Sequence, residues 1–353
     1  MKIRLLSFLM VIGVLTSCNP SQPPVKALDQ PIAVYDSTDR TNDFYDNEPI
    51  VDLPGSDEIE ISGEVAENQS VKLSELPVRS LIVKETRIEN GEIAFTGAYR
   101  YDGVSLYDIL NRVKVVKKNA KEFNPIIDQY AVVYNAAGDS VVFSWGEIYY
   151  PVQPHQIIIA THVVRIVPTK SKDKWPLPAS KKIIAGTDLI TERNIMDPVK
   201  IVIRSLNVNY KVDRNIKLWA PELIIEGKDK QSVKLKELPS GLSAEEFDHV
   251  FYGRGMGIHG ITLTKGVFLK DLFGESLKPD ISLIRRGLFV ITGLDGYRCS
   301  VTYSELMNRN DNAEVIIQNR GNNADGGRFS CLFMADFFSD RAIKSISEIR
   351  LVQ

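Results

Sequence analysis

The sequence predicts an α+β protein in two tandem copies, each a strand-dominated mixed α/β domain with a few short helices. Three observations carry this. Residues 69–77 read Gln-Ser-Val-Lys-Leu-Ser-Glu-Leu-Pro, and residues 231–239 repeat them with one change, Ser74 against Lys236. Further landmarks recur in the same order. Gly103-Val104-x-Leu106-x-Asp108 returns as Gly266-Val267-x-Leu269-x-Asp271, and the stretch 138–148 is echoed by 296–306. Asp188…Arg193-x-Ile195…Ile201 returns as Asp336…Arg341-x-Ile343…Ile349. Finally, the local patterns alternate in strands more often than they run in helical period. The repeat period is far longer than a solenoid unit, and each copy is long enough to bury its own core. A duplicated whole domain is therefore expected, spanning 58–205 and 222–353, with 206–221 as connector.

The chain begins with an address. Lys2 and Arg4 give a positive end, and Leu5 to Leu15 is apolar apart from Ser7 and Gly13. That length suits a signal-peptide core and is too short to span a bilayer. It ends in Leu15-Thr16-Ser17-Cys18, a bacterial lipobox pattern, so 1–17 is expected to be removed and Cys18 to carry lipid. Asn19 is not the aspartate that retains some lipoproteins in an inner membrane, which favours the outer membrane. Residues 18–57 read as a tether: Pro20, Pro23, Pro24, Pro31, Pro49 and Pro54 punctuate an acidic stretch with few large apolar residues.

In the first copy, Glu58 to Val65 alternates as a strand, Ser74-Glu75-Leu76 is a short helical turn stopped by Pro77, and Leu81-Ile82-Val83 begins another strand. Val104 to Val113 is a short amphipathic helix. Tyr130–Tyr134 and Ser140–Ser144 flank Asn135-Ala136-Ala137-Gly138-Asp139 as a hairpin. Gln156–Ala160, Lys181–Ala185 and Val199–Arg204 are further strands. The second copy repeats this from Glu222 to Leu351. Leu218 and Trp219 in the connector are expected to mark an apolar seam between copies.

The ordered set resembles the molybdopterin-binding domain of the sulfite-oxidase type. The likeness lies in Gly63-Glu64-Val65, the Leu-x-Glu-Leu-Pro turn, the Gly-Val-x-Leu-x-Asp helix, the hairpin leading to Ser144-x-x-Glu147-Ile148 or Tyr303-Ser304-Glu305-Leu306, and the closing Gly327, Arg328, Phe329, Asp336, Ile346 and Ile349. The resemblance implies a pterin cleft and, in catalytic members, a cysteine thiolate on molybdenum between the Leu-Pro turn and the Gly-Val helix. Neither 78–102 nor 240–265 contains cysteine. The thiolate that such a metal wants is missing from both copies, so no cofactor is expected.

Tyr252-Gly253-Arg254-Gly255-Met256-Gly257-Ile258-His259-Gly260 falls where the family's active-site loop would lie. Its glycines would admit a ligand, and Arg254 with His259 would hold a phosphate, sulfate or carboxylate; the plainer reading is a bend-rich loop or bulged strand. Its glycine spacing is not a dinucleotide fingerprint. The resemblance also places Arg320 and Arg328, in a second Gly-rich loop, beside the cleft, where they would join Arg254 around one anion; a plain turn is the alternative. His155 and His162, seven residues apart on extended chain, are poor metal partners, and no metal ligand set is expected. His249 has no evident partner, Glu245-Glu246 reads as a solvated short helix, and no Ser–His–Asp set or nucleophile emerges. Cys299 and Cys331 either pair or stay as buried free thiols.

A formal net charge of −2 gives no electrostatic reason to bind nucleic acid. The expected function is a non-catalytic binding or assembly module, lipid-anchored at the bacterial envelope through Cys18. Its partner would be a small anion or another envelope protein. The alternative is a molybdopterin-dependent oxidoreductase with an atypical metal site.

Overall fold

The structure, a computed structural model, describes Tyr45 and residues 47–228, 232–321 and 327–352; Cys18 and most of the tether lie outside them. The end of the stretch read as tether is docked. Glu48 pairs with Arg165 at 2.7 Å and Lys174 at 2.5 Å, Leu53 is buried, and Val51–Asp52 (β1) forms a short strand.

In the first half, β2 (Glu58–Gly63) buries Ile59 and Ile61, as its alternation requires. β3 (Gln69–Lys72) and a single 3₁₀ turn at Leu73–Glu75 follow. Then β4 (Val78–Glu89) and β5 (Glu92–Ser105) make a long hairpin leading into α1 (Leu106–Leu110). β6 (Gln129–Asn135) and β7 (Ser140–Ser144) are the expected hairpin, with α2 (Trp145–Tyr149) after it. β8 (Ile157–Arg165), β9 (Lys182–Ala185) and β10 (Pro198–Ser205) close the half. The second half contains β11 (Leu223–Glu226), β12 (Ser232–Leu235), β13 (Glu245–Gly253), β14 (Gly257–Phe268), α3 (Leu269–Phe273) and α4 (Ile281–Arg286). It ends with β15 (Leu288–Gly293), β16 (Arg298–Thr302), α5 (Tyr303–Met307), β17 (Val315–Asn319), β18 (Phe329–Phe333) and β19 (Ile346–Leu351).

These strands make four sheets: β1-β8-β5-β4 with β9 on β8, β3-β2-β10-β6-β7, β12-β11-β19-β15-β16, and β13-β14-β17-β18. Only β2/β10 and β11/β19 pair in parallel; every other pairing between these strands is antiparallel. The α+β expectation, and with it the tandem sulfite-oxidase-type fold, is overturned. The body is β-dominated, four blades in the manner of a four-bladed β-propeller. The reason is geometric. Each α-helix has only five or six residues, under two turns, and cannot cover a sheet as an α+β layer must. Glu245-Glu246 is likewise corrected: it opens β13, and Glu246 accepts from Lys265 on β14 at 2.5 Å.

The recurring Gly-Val-x-Leu-x-Asp string has a packing cause. A Cβ on Gly103 would fall on the Ile159 carbonyl of β8, and one on Gly266 would meet Ile316 and Ile317 of β17. Glycine at both places lets neighbouring strands close up where the chain turns into α1 or α3.

The described residues form one compact unit, and its halves share core. Phe123, Ile127, Tyr150 and Ile190 pack in one cluster with Leu269, Phe289 and Phe329. Tyr130, Val132 and Val142 pack against Leu206, Leu288 and Val290. Leu206, with Val208 and Tyr210 packed against the same cluster, brings the connector into the seam. Trp219 instead lies under the Arg328 guanidinium, 5.7 Å from ring centre to Cζ. Matched backbone bonds stitch the seam. Val152 N–H donates to Ala335 O and Asn310 N–H to Thr187 O, both at 2.9 Å. Phe337 N–H donates to Tyr150 O at 2.7 Å and Leu189 N–H to Asn308 O at 2.8 Å.

Candidate functional site

The structure places the four arginine and histidine candidates apart. Arg254 is exposed in the three-residue turn between β13 and β14, next to a bulge at Phe251/Tyr252. His259 is exposed on β14, edge-on to Phe251 with ring centres 5.4 Å apart. Arg320 ends β17 and lines a cavity of about 300 Å³ with His249, Cys331 and Lys344; burial holds His249 below the ordinary imidazole range. Arg328 donates to the Lys236 carbonyl, pairs with Glu237 at 3.6 Å and covers Trp219. Arg320 N–H donates to Arg328 O at 2.7 Å. Cys299 and Cys331 are free and buried, so the pairing alternative is not realised. Burial pushes the Cys331 thiol up to about 12 and raises Cys299 well above its ordinary range.

Arg254 has different company. It borders a cavity of about 380 Å³ whose opposite wall comes from the first half. Two short helices build that wall. Ser105 caps α1 by accepting from Asp108 N–H, and Ser144 caps α2 in a box with Glu147. The caps set Tyr107 and Tyr149 with ring centres 5.1 Å apart. One turn separates Trp145 from Tyr149 on α2, and their rings stack at 4.7 Å. Tyr149 donates to Asn111 Oδ1 at 3.2 Å. Tyr150, 3% exposed, has its hydroxyl without a partner among the described residues. Burial pushes this phenol up to about 12 against the nearby Arg254 charge, so it stays a donor at neutral pH. Phe338 closes the second-half side, 6.2 Å from Tyr150. No aspartate or glutamate lines the cavity among the described residues.

Sequence reasoning missed this wall. The Trp145-x-x-x-Tyr149-Tyr150 spacing after Ser144-x-x-Glu147 was the available signal; the meeting with Arg254, about a hundred residues on, was not.

Beneath the wall lies a cluster of buried charge. Arg193 donates to both Asp188 oxygens (2.8 and 2.7 Å), both Glu147 oxygens (3.0 Å each) and the Val142 carbonyl (3.0 Å). Arg341 donates to both Asp336 oxygens (2.8 and 2.7 Å) and to Glu305 (2.6 Å). Four carboxylates share two guanidiniums, an excess of negative charge in a buried setting. Glu147 is accordingly raised to about 7 and Asp336 to about 6, burial being the main cause, while Arg341 is the chief attraction holding Glu305 low.

Two other constellations are structural. Ser105, Asp108 and His155 come together, yet Ser105 Oγ at 3.0 Å and Asp108 Oδ2 at 3.5 Å both face Nδ1. A relay needs the two groups on opposite ring nitrogens, and Ser105 is fully buried as a helix cap. A larger cavity of about 650 Å³ holds Glu85 and Lys182, but Lys182 Nζ is spent on both Glu85 oxygens at 2.7 Å.

No family model matches the chain, and no curated protein matches it. Among solved structures, the sulfane dehydrogenase SoxCD from Paracoccus pantotrophus is similar over 84% of this chain and 77% of its own, at 9% identity and a TM-score of 0.30. A likeness of that size assigns no chemistry.

Proposed function

We propose that the chain is a lipid-anchored envelope protein that binds a small anion without turning it over, at the cavity between the Trp145–Tyr149 wall and Arg254. Cys18 would carry the anchor, and the outer membrane is its expected place. The duplication of 58–205 into 222–353 belongs to this proposal, supported by the matched bonds across the seam and by the shared sheet order of the two halves. One observation carries the binding reading: Arg254 from one half borders a cavity walled by Tyr107, Trp145 and Tyr149 of the other. A guanidinium at an aromatic cavity lined by no carboxylate among the described residues favours a ligand with an anionic end.

Calorimetric titration of the purified full chain with sodium acetate and sodium sulfate tests it. Weak saturable binding that disappears in Arg254→Ala is expected. Equal heats for wild type and Arg254→Ala would remove Arg254 from the site and overturn the reading.

A further inference from the structure

We infer that the ligand of the aromatic cavity is a planar aryl carboxylate, its ring lying against the Tyr107–Tyr149 wall and its carboxylate held by Arg254. The inference rests on the reading of this cavity as the binding site and names the ligand's class.

The wall supplies shape. Tyr107 and Tyr149 meet at an interplanar angle of 48°, Trp145 stacks on Tyr149 at 24°, and Phe338 faces them from the second half. Flat ring faces and edges favour a flat aromatic partner, which gains stacking beyond simple area burial. A volume of about 380 Å³ lies at the small end of ligand cavities and suits one or two fused rings.

The polar groups supply sign. The charged side chain on the lining, among the described residues, is Arg254. The Arg254 guanidinium presents a planar donor fork that a carboxylate fills with two parallel bonds. With no acidic side chain along the lining, an ammonium ligand would find no counter-charge.

The test is a comparison of sodium naphthoate with sodium acetate on the full chain by calorimetry. Naphthoate should bind one per chain and about tenfold or more tighter than acetate. Arg254→Ala, at an exposed position, should weaken naphthoate about tenfold or more while leaving the thermal transition in place. If naphthoate binds no tighter than acetate while acetate binding still needs Arg254, the aryl class is wrong and the anion site stands. If neither binds, the cavity is not the site and both readings fall. Unchanged naphthoate affinity in a folded Arg254→Ala variant would overturn the assignment of its carboxylate to Arg254.

Discussion

Thr302 donates its hydroxyl to Oε1 of Glu147 at 3.2 Å, across 155 residues of sequence. Thr302 also caps α5 in a box with Glu305, as Ser144 caps α2 with Glu147. Each cap therefore holds its own helix while Thr302 reaches into the other half's ion cluster. Ser304 does the same, donating to Asp188 Oδ2 at 3.3 Å. The two charge clusters are one buried network, and its members act on the stability of both halves.

Removing one cation from that network leaves carboxylates buried and unpaired. Arg193→Met and Arg341→Met should each lower unfolding free energy by about 3–5 kcal/mol in urea titration. Lys200→Met, which breaks the exposed pair with Glu60, should change it by less than about 1 kcal/mol. Equal effects would mean that the buried network does not hold the fold.

The contribution of Glu147 and Asp336 to stability should fall as pH rises from 5 to 8. Glu147, raised from 4.5 to about 7, and Asp336, raised from 3.8 to about 6, keep protons in the folded chain that the unfolded chain releases. Their contribution is complete below the ordinary carboxylate range and is lost as pH climbs through about 6 and then 7. Glu305, held low, works in the opposite sense only in the acid range below its ordinary value. Burial lowers His249 and His155, which work in the opposite sense near the ordinary imidazole range. The check is therefore the difference between thermal melts of wild type and Glu147→Gln: wild type should lose stability relative to the variant as pH rises, and parallel profiles refute the assignment.

Gly103→Ala should cost several kcal/mol, because its Cβ meets backbone of β8 that cannot step aside. Gly227→Ala, with open space at its Cβ, should lie within about 0.5 kcal/mol of wild type. Chemical denaturation of both variants is the measurement, and similar values would contradict the strand contact.

Cys299 and Cys331 should resist alkylation in the folded protein and react fully, without reductant, once it is unfolded. Mass spectrometry should then count two modified thiols in those positions. A mass lower by two hydrogen atoms with no modification would reveal a disulfide instead.

Cys18→Ser should abolish fatty-acid labelling and leave an unprocessed precursor. Normal processing with unchanged membrane fractionation would contradict the lipid anchor.

The sequence by itself determined the local pieces. Alternation at Ile59 and Ile61 set β2, the turn at Asn135–Asp139 set the β6–β7 hairpin, and Ser144-x-x-Glu147 with Thr302-x-x-Glu305 wrote two helix caps, because each depends on residues a few positions apart. The repeated strings also marked residues that matter: Gly103 and Gly266 at close strand contacts, Arg193 and Arg341 in the buried network. What the strings could not show was the class of fold. Five-residue helices read as elements in sequence, and only the packed chain shows that sheets cover sheets without them. Arg254 and Arg320 looked like partners because both lie in glycine-rich turns, yet the turns line different cavities. Tertiary structure alone brought Arg254 to Tyr150 and Thr302 to Glu147, since such meetings are settled by which apolar surfaces the chain buries together and not by any pattern within one segment.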